Sequence, residues 1–395
     1  MLPRFADADA MVAALEPEEP VYCYRPDELT ARARQFVSAF PGHVLYAVKC
    51  NPEPLVLDAL WAGGIRHFDT ASLQEIELVK GHFAAGGCYF MHPVKQRGAV
   101  RDAYERMGVR TFVVDHRDEL EKVTAETGGA RDVTVVVRLA TARGAAVYDL
   151  GGKFGCTVEQ GADLLRTAAG RGLKVGLCFH VGSQCLNPGS YTAALRLAAA
   201  CQDLAGAELA VIDVGGGFPT AYVGHEPPPL EDYMAAIRTG LETLRRPEGC
   251  AVWCEPGRGL VATGASLVVR VELRRDRHLY LNDGLYGSLC DLKFPGIHMP
   301  MRAVRPGHAF SDELVPFGLF GPTCDCYDQM PGPYMLPADI REGDWIEIGQ
   351  CGAYTTATRT WFNGFFPGRA VRVDDSAFLP TAAMRVPDHH QRAAA

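Results

Sequence analysis

Lysine is scarce in this sequence, since only seven of its 39 basic residues are lysines and the other 32 are arginines. The chain also lacks an excess of positive charge, with a formal net charge of −8 and a pI of about 5.9. This balance argues against nucleic acid or an anionic membrane as a general partner, although it leaves room for a local basic site. The few lysines are therefore informative wherever they stand at distinctive positions.

Secretory and membrane-spanning segments are missing as well. Residues 1–20 lack a basic stretch followed by an apolar core, and no later apolar run approaches the length that crosses a bilayer. The 13 cysteines are odd in number and follow no short regular spacing, which favours reduced thiols over a disulfide framework. We therefore expect a cytoplasmic protein without a membrane partner.

Cysteine spacing of the zinc-binding type is also lacking. Cys250 and Cys254 are close in sequence, as are Cys324 and Cys326, but neither pair is accompanied by a second pair at zinc-site spacing. We therefore expect no metal site.

The chain is long enough to bury a large core, and 395 residues with 48% hydrophobic content favour two domains. Eight short apolar runs alternate with segments whose apolar residues recur every three or four positions. This alternation predicts an α/β fold built on a parallel (β/α)8 barrel. The predicted barrel strands are Leu45–Val48, Arg66–Asp69, Cys88–Met91, Thr111–Asp115, Val133–Leu139, Val175–His180, Ala210–Val214 and Val252–Glu255.

After Arg258 the pattern changes to strand-like runs separated by loops rich in glycine and proline, which predicts an antiparallel β unit. Pro20–Tyr24, before the barrel, is also strand-like and could pair with this unit, so the second domain is expected to be discontinuous. The predicted strands of the unit are Ser266–Leu273, Arg277–Leu281, Trp345–Ile348 and Ala370–Val373. We therefore divide the chain into residues 1–25, which pair with the β domain; 26–262, the barrel; 263–386, the β domain; and 387–395, a flexible tail.

Lys49 stands where a strand ends, because the apolar run Leu45–Val48 is broken by Asn51-Pro52. Two interpretations are open for this segment alone. Lys49 is either a surface lysine at a strand end or an amine that forms a Schiff base with an aldehyde cofactor such as pyridoxal 5′-phosphate (PLP). The second requires a phosphate site, an acid for the pyridine nitrogen and a group that stacks on the ring.

Other strand ends offer these parts. Three glycines, Gly215 to Gly217, follow Asp213 and allow backbone N–H groups to approach an anion. Glu255 and Arg258 provide a carboxylate for the ring nitrogen and a guanidinium for the phosphate, although they could form a simple ion pair. His180 and Ser183 add a stacking imidazole and a hydroxyl, although a lone histidine there could be a core residue. The combination favours a PLP site.

These motifs resemble the fold-type III PLP-dependent amino-acid decarboxylases, and within them the ornithine decarboxylase group. The resemblance covers roughly residues 20 to 370, and it implies an alanine-racemase-like barrel with a second β domain. The matching motifs are Tyr46-Ala47-Val48-Lys49, Phe68-Asp69-Thr70-Ala71-Ser72 with Glu75, Lys153-Phe154-Gly155, His180-Val181-Gly182-Ser183, Asp213-Val214-Gly215-Gly216-Gly217-Phe218-Pro219, Glu255-Pro256-Gly257-Arg258, Asn282-Asp283-Gly284, Gly321-Pro322-Thr323-Cys324-Asp325, Gly352-Ala353-Tyr354-Thr355 and Phe362-Asn363-Gly364.

The resemblance also implies roles for individual residues. Lys49 would carry PLP, Glu255 would face the pyridine nitrogen and His180 would stack on the ring. The implied phosphate ligands are Ser183, Gly215, Gly216, Gly217, Arg258 and Tyr354, and the implied wall of the site is Asp69, Glu75 and Arg138. The family's active sites lie at a head-to-tail homodimer interface, where the partner's loop corresponding to Cys324-Asp325 would enter. Cys324 would return a proton to Cα, while Asp325, Tyr286 and Phe362 would contact the amino-acid substrate.

The sequence departs from the family at a position that selects the substrate. Eukaryotic ornithine decarboxylases have a Tyr-Asp pair after the Asn-Asp-Gly motif, and this chain has Phe294-Pro295 there. L-Ornithine or a related diamino acid is the expected substrate, with lysine, diaminopimelate and carboxynorspermidine as alternatives. A racemase-like PLP enzyme and a non-catalytic binding protein are the rival functions, and Glu255 and Cys324 count against both.

Overall fold

The computed structural model describes residues 2–141, 146–147, 152–294, 296–366, 368–381 and 384. Pro295 and the predicted tail, 387–395, lie outside the described residues. Within that part of the chain, no helix combines the length and the apolar character needed to cross a membrane.

Eight parallel strands close into a barrel in the spatial order β10-β3-β4-β5-β6-β7-β8-β9, which confirms the predicted (β/α)8 architecture. These strands are β3 (His43–Ala47), β4 (His67–Thr70), β5 (Gly87–Phe90), β6 (Thr111–Val114), β7 (Thr134–Leu139), β8 (Lys174–Phe179), β9 (Val211–Asp213) and β10 (Ala251–Cys254). The described helices are α1 (Ala8–Leu15), α2 (Pro26–Ala39), α3 (Pro54–Ala62), α4 (Leu73–His82), α5 (Arg97–Glu105), α6 (Arg117–Glu126), α7 (Val158–Gly170), α8 (Gly189–Ala205), α9 (Leu230–Leu241) and α10 (Arg258–Val261). Short 3-10 helices cover Val48–Cys50, Ala262–Gly264, Cys290–Lys293 and Phe362–Gly364.

Alternation of side chains along the barrel strands separates two apolar clusters. Leu45, Val113 and Trp253 belong to a small buried cluster inside the barrel. Phe112, next to Val113 in sequence, belongs instead to the large cluster that includes the helices. Successive residues of a strand point to opposite faces, so both faces of the barrel wall are buried and the polar residues collect at the strand ends.

The second domain is a nine-stranded sheet in which β2 (Val21–Tyr24) lies between β17 (Arg369–Val373) and β11 (Ala265–Arg275). The predicted return of the N-terminal strand to this domain is therefore confirmed. The other strands are β1 (Arg4–Phe5), β12 (His278–Leu281), β13 (Met301–Val304), β14 (Leu314–Phe320), β15 (Gln329–Pro337) and β16 (Trp345–Ile348).

The prediction of a purely antiparallel unit was wrong. β2 and β17 pair in parallel, as do β1 with β17 and β12 with β14, whereas β11 pairs antiparallel with β2, β12 and β16. The sheet is mixed because a strand from the start of the chain enters beside one from the end, and no hairpin constrains its direction.

A buried ion cluster fastens the N-terminal strand to the domain. Arg25, which follows β2 and is 2% exposed, donates to Asp375 at 2.8 Å, to Glu347 at 3.2 Å and to Ser266 at 3.0 Å. Since buried charges require partners, this arginine ties β2, β11 and β16 to the C-terminal segment.

Candidate active site

Lys49 lies in the 3-10 helix directly after β3, at the carboxyl edge of the barrel. Its ammonium group pairs with the carboxylate of Asp69 on the neighbouring strand β4, and Asp69 is buried. Desolvation at the barrel edge lowers the pKa of Lys49, but the neighbouring acids, Asp69 first, outweigh it and raise that pKa above its ordinary value. The predicted cofactor lysine is thus held at the strand end by an acid.

Glu255 and Asp213 form a carboxyl pair at the ends of β10 and β9. Asp213 Oδ1 accepts a hydrogen bond from the Gly215 N–H at 2.8 Å, while its buried Oδ2 has no hydrogen-bond partner among the described residues. Burial raises the pKa of Asp213 to about 7, and burial together with the charge of Asp213 raises that of Glu255 well above its ordinary value. The pair therefore carries a proton near neutral pH that it can share with a pyridine nitrogen placed beside it.

His180 follows β8 and remains neutral at physiological pH. Burial, and then the positive charges of Arg138 and Lys49, lower its pKa to about 3. Its Nδ1 accepts a hydrogen bond from the Gly182 N–H at 3.0 Å, which fixes the ring. A neutral, fixed imidazole suits stacking on an aromatic cofactor ring.

Residues Gly215 to Gly217 form a glycine turn that lies too close to neighbouring atoms for any of the three to carry a side chain. Gly215 and Gly217 adopt left-handed conformations, with φ of 68° and 105°. A Cβ atom on Gly216 would lie 2.6 Å from the Glu255 carbonyl oxygen and 3.0 Å from His180 Nε2. The backbone therefore fills the space next to the acid and the imidazole, where its N–H groups can approach an anion.

Arg258 brings together the remaining candidate phosphate ligands. Its Nε lies 3.4 Å from Ser183 Oγ, and its Cζ lies 4.9 Å from the centroid of the Tyr354 ring. Tyr354 adopts a left-handed φ of 55°, and its N–H donates to the Cys50 carbonyl at 2.9 Å, beside Lys49. Guanidinium, hydroxyl and glycine N–H donors are the groups that bind a phosphate, so the described residues fit PLP.

Sequence reasoning missed two partners of Arg258. Its Nη1 donates to Asp291 Oδ2 at 2.6 Å and to the Tyr222 hydroxyl at 2.7 Å. Neither residue stands at a strand end or within a recognisable motif, so local sequence offered no signal for them.

Glu75 and Arg138 belong to the same group of charged side chains as Lys49. Glu75 Oε2 accepts from the Ala71 N–H at 2.7 Å, which holds the carboxylate at the start of α4. The guanidinium of Arg138 lies 5.6 Å from the Phe154 ring centroid, and after burial its charge is the next cause of the lowered pKa of His180.

A second group of predicted residues lies on the β domain. The Tyr286 hydroxyl donates to Asp325 Oδ2, and this hydrogen bond raises the pKa of Tyr286 to about 12. The rings of Tyr286 and Phe362 are 4.8 Å apart, and the Cys324 N–H donates to Asn363 Oδ1 at 3.1 Å. Cys324 is exposed, and together with Asp325 it lines a cavity of about 540 Å³.

Asp328, which was also missed, joins the two loops that carry this group. It is 2% exposed, and its carboxylate accepts from the Leu285 N–H at 2.7 Å and from the Thr323 hydroxyl at 2.7 Å. The Tyr286 and Asp325 loops are therefore fixed relative to each other by a buried acid.

The structure thus assembles two groups of candidate residues, one around Lys49 in the barrel and one around Cys324 in the β domain. Across the residues that the structure describes, no hydrogen bond, ion pair or ring contact joins Lys49 to Cys324 or Asp325. Phe294, at the departure from the family pattern, is 38% exposed, and the Lys293 ammonium lies 5.1 Å from its ring centroid.

Comparison with known proteins agrees with this geometry. Residues 26–262 match the family model for the pyridoxal binding domain of the pyridoxal-dependent decarboxylases. A lysine/ornithine decarboxylase of Selenomonas ruminantium is 34% identical over 84% of this chain and 84% of its own length. An ornithine decarboxylase of Panagrellus redivivus is 33% identical over 92% of this chain and 87% of its own.

A solved structure shares the whole fold. The lysine/ornithine decarboxylase of Vibrio vulnificus, crystallised with putrescine, superposes with a TM-score of 0.80 at 32% identity, covering 94% of this chain and 99% of its own. The chain therefore belongs to the PLP-dependent decarboxylases of the ornithine decarboxylase group.

Proposed function

We propose that this PLP-dependent decarboxylase acts on a diamino acid, with L-ornithine and L-lysine as the first candidates, and releases the corresponding diamine. The observation that carries the proposal is the Asp325 carboxylate, which Tyr286 holds at an open cavity. A carboxylate there suits a distal ammonium group. Relatives named lysine/ornithine decarboxylase support the same substrate class.

The barrel residues bind and orient the cofactor. Lys49 provides the amine that attaches it, His180 packs against its ring, and Glu255 holds a proton at the pyridine nitrogen. Ser183, the glycine turn, Arg258 and Tyr354 bind its phosphate, and Asp69, Glu75 and Arg138 form the wall. Bound PLP supplies an electron sink for the electron pair that departing CO2 leaves on the substrate.

The β-domain residues act on the substrate. Asp325 binds its distal ammonium group, and Tyr286 and Phe362 contact its aliphatic chain. The Cys324 thiol delivers a proton to Cα after CO2 has left, so the bond that forms is Cα–H and the product is the amine.

We further propose a homodimer with shared active sites. Cys324 and Asp325 act on a substrate attached near Lys49, yet among the described residues of one chain no hydrogen bond, ion pair or ring contact joins either of them to Lys49. A head-to-tail dimer places the Cys324 loop of one subunit beside Lys49 of the other. A cytoplasmic location is proposed as well, since all 13 cysteines carry free thiols.

Decarboxylation of purified protein with PLP tests the proposal. Ornithine, lysine, arginine, diaminopimelate and carboxynorspermidine are supplied separately, and CO2 release and loss of optical activity are recorded. We expect CO2 from ornithine or lysine. Racemisation without CO2 would favour the racemase-like alternative, and the absence of both reactions together with no PLP absorbance would favour a binding protein.

A further inference from the structure

The guanidinium of Arg258 is paired with a carboxylate of its own chain. Besides the 2.6 Å contact from Nη1, Nη2 lies 3.5 Å from Asp291 Oδ1. The side chains are 4% and 5% exposed, so the pair is buried. Tyr222 adds a neutral hydroxyl to the same nitrogen.

A different part of the guanidinium faces the proposed phosphate site. Its Nε points towards Ser183 Oγ at 3.4 Å, while Nη1 is engaged by Asp291 and Tyr222. The Arg258 guanidinium thus lies between the Asp291 carboxylate and the proposed phosphate site. No step of the proposed reaction uses Asp291.

Asp291 lies in the 3-10 helix Cys290–Lys293, 33 residues beyond Arg258 in the chain. The guanidinium is buried, and the Asp291 carboxylate and the Tyr222 hydroxyl both bond to its Nη1. Its positive charge therefore needs an anion in every state of the protein.

We propose that Asp291 is the internal counter-ion of Arg258, a positioning residue that neutralises the buried guanidinium in the cofactor-free protein and shares it with the phosphate in the holoenzyme. This rests on the proposed role of Arg258 as a phosphate ligand. As a consequence, the cofactor-free protein is stable, and Arg258 binds the phosphate more weakly than it would without Asp291.

The direction of the change in PLP affinity depends on which form of the protein, cofactor-free or cofactor-bound, is destabilised more by D291N. D291N removes the carboxylate that pairs with Arg258 in the cofactor-free protein, whereas a bound phosphate supplies an anion in the holoenzyme. D291N should therefore destabilise the free form more than the bound form. PLP should bind more tightly to the variant, and pyridoxal, which has no phosphate, should not.

The experiment compares wild type, D291N and Y222F. Dissociation constants for PLP and pyridoxal are measured by fluorescence titration, and the Tm of each cofactor-free protein is recorded. For D291N we expect a lower Tm and a PLP affinity, relative to pyridoxal, that rises by about tenfold or more. Y222F removes a neutral partner of the same nitrogen, so it should not tighten PLP binding.

An unchanged or reduced preference of D291N for PLP over pyridoxal would overturn the inference. If D291N does not fold alone, refolding is attempted in inorganic phosphate and in chloride of equal ionic strength. Recovery in phosphate only would support the counter-ion role, and failure in both would refute it. A wild-type protein that binds PLP and pyridoxal equally would instead contradict the proposed phosphate role of Arg258.

Discussion

The ammonium group of Lys49 pairs with the buried carboxylate of Asp69 across the neighbouring barrel strands β3 and β4. The acid anchors the end of a long, flexible side chain and holds its nitrogen among the other ionisable strand-end groups. Because of this pairing, the Lys49 nitrogen lies at the strand-end edge of the barrel, where the cofactor is proposed to bind.

Replacing Lys49 with alanine should prevent covalent attachment of the cofactor. Borohydride treatment of wild type with PLP should attach one phosphopyridoxyl group per chain, and the variant should gain none, because it lacks the amine. Lys80→Ala is the control, since Lys80 donates to the Gly86 carbonyl at 2.8 Å and has no proposed role. A reduced adduct on Lys49→Ala would show that another lysine carries the cofactor.

Glu255→Gln should retain PLP but slow decarboxylation. The phosphate ligands are unchanged, whereas a neutral pyridine accepts electrons poorly, so we expect kcat to fall on the order of 10³-fold. Glu159→Gln, at an exposed position on α7, is the control. Wild-type turnover in Glu255→Gln would mean that another group protonates the ring.

Asp325→Ala should weaken the selection of diamino acids. The variant loses a hydrogen bond to a charged group, so kcat/KM should decrease by an amount equivalent to roughly 1.5–3 kcal/mol, mainly because KM rises. PLP affinity should not change. Tyr286→Phe keeps the aromatic ring and removes the hydroxyl that donates to Asp325, so its effect should be smaller. Equal effects on ornithine and on an amino acid without a distal cation would contradict the proposed contact.

Mixing Lys49→Ala with Cys324→Ala subunits should restore part of the activity that each lacks. A shared-site heterodimer contains one intact site, so random reassortment of equal amounts should give about a quarter of wild-type activity. Mixed dimers are verified by mass spectrometry of differently tagged chains. Inactive mixtures in which heterodimers are present would exclude sharing of the site.

His67, on β4, should make the free energy of unfolding decrease in mild acid. Burial, and then the charge of His43, lower its pKa to about 4, whereas an unfolded histidine titrates near 6.5. The unfolded chain therefore binds more protons between these values, and stability falls as pH decreases through this window. His67→Asn should reduce that loss by about 1–2 kcal/mol, less than full linkage because the ring is partly solvated.

Urea unfolding at pH 7 and pH 4.5 measures the His67 effect, with the exposed His308→Asn as the control. An identical loss of stability in wild type and His67→Asn would assign the acid sensitivity to other groups.

The barrel could be predicted because its strands are short apolar runs with a polar residue at or beside the carboxyl end, and the predicted Val133–Leu139 agrees closely with the observed Thr134–Leu139. Lys49 and Glu255 were found for the same reason. β14 and β15 were missed because they contain Pro316, Pro331 and Pro333, which read as breaks in a strand.

The missed site residues have a different explanation. Asp291 and Asp328 act as buried carboxylates only because remote segments meet around them. The periodicity of apolar residues predicts which face of an element is buried. It does not predict which hydrogen-bond donor from a distant segment will contact a given acidic residue.

The interior place of β2 has a consequence for synthesis. Its partners β11 and β17 leave the ribosome long after it, whereas the barrel follows it directly in the chain. A barrel can therefore form while β2 is still without neighbours, and the β domain has to wait until β17 has been synthesised. Val21 and Cys23, which are buried in the folded protein, are exposed during that interval, which makes β2 an aggregation-prone element of the nascent chain.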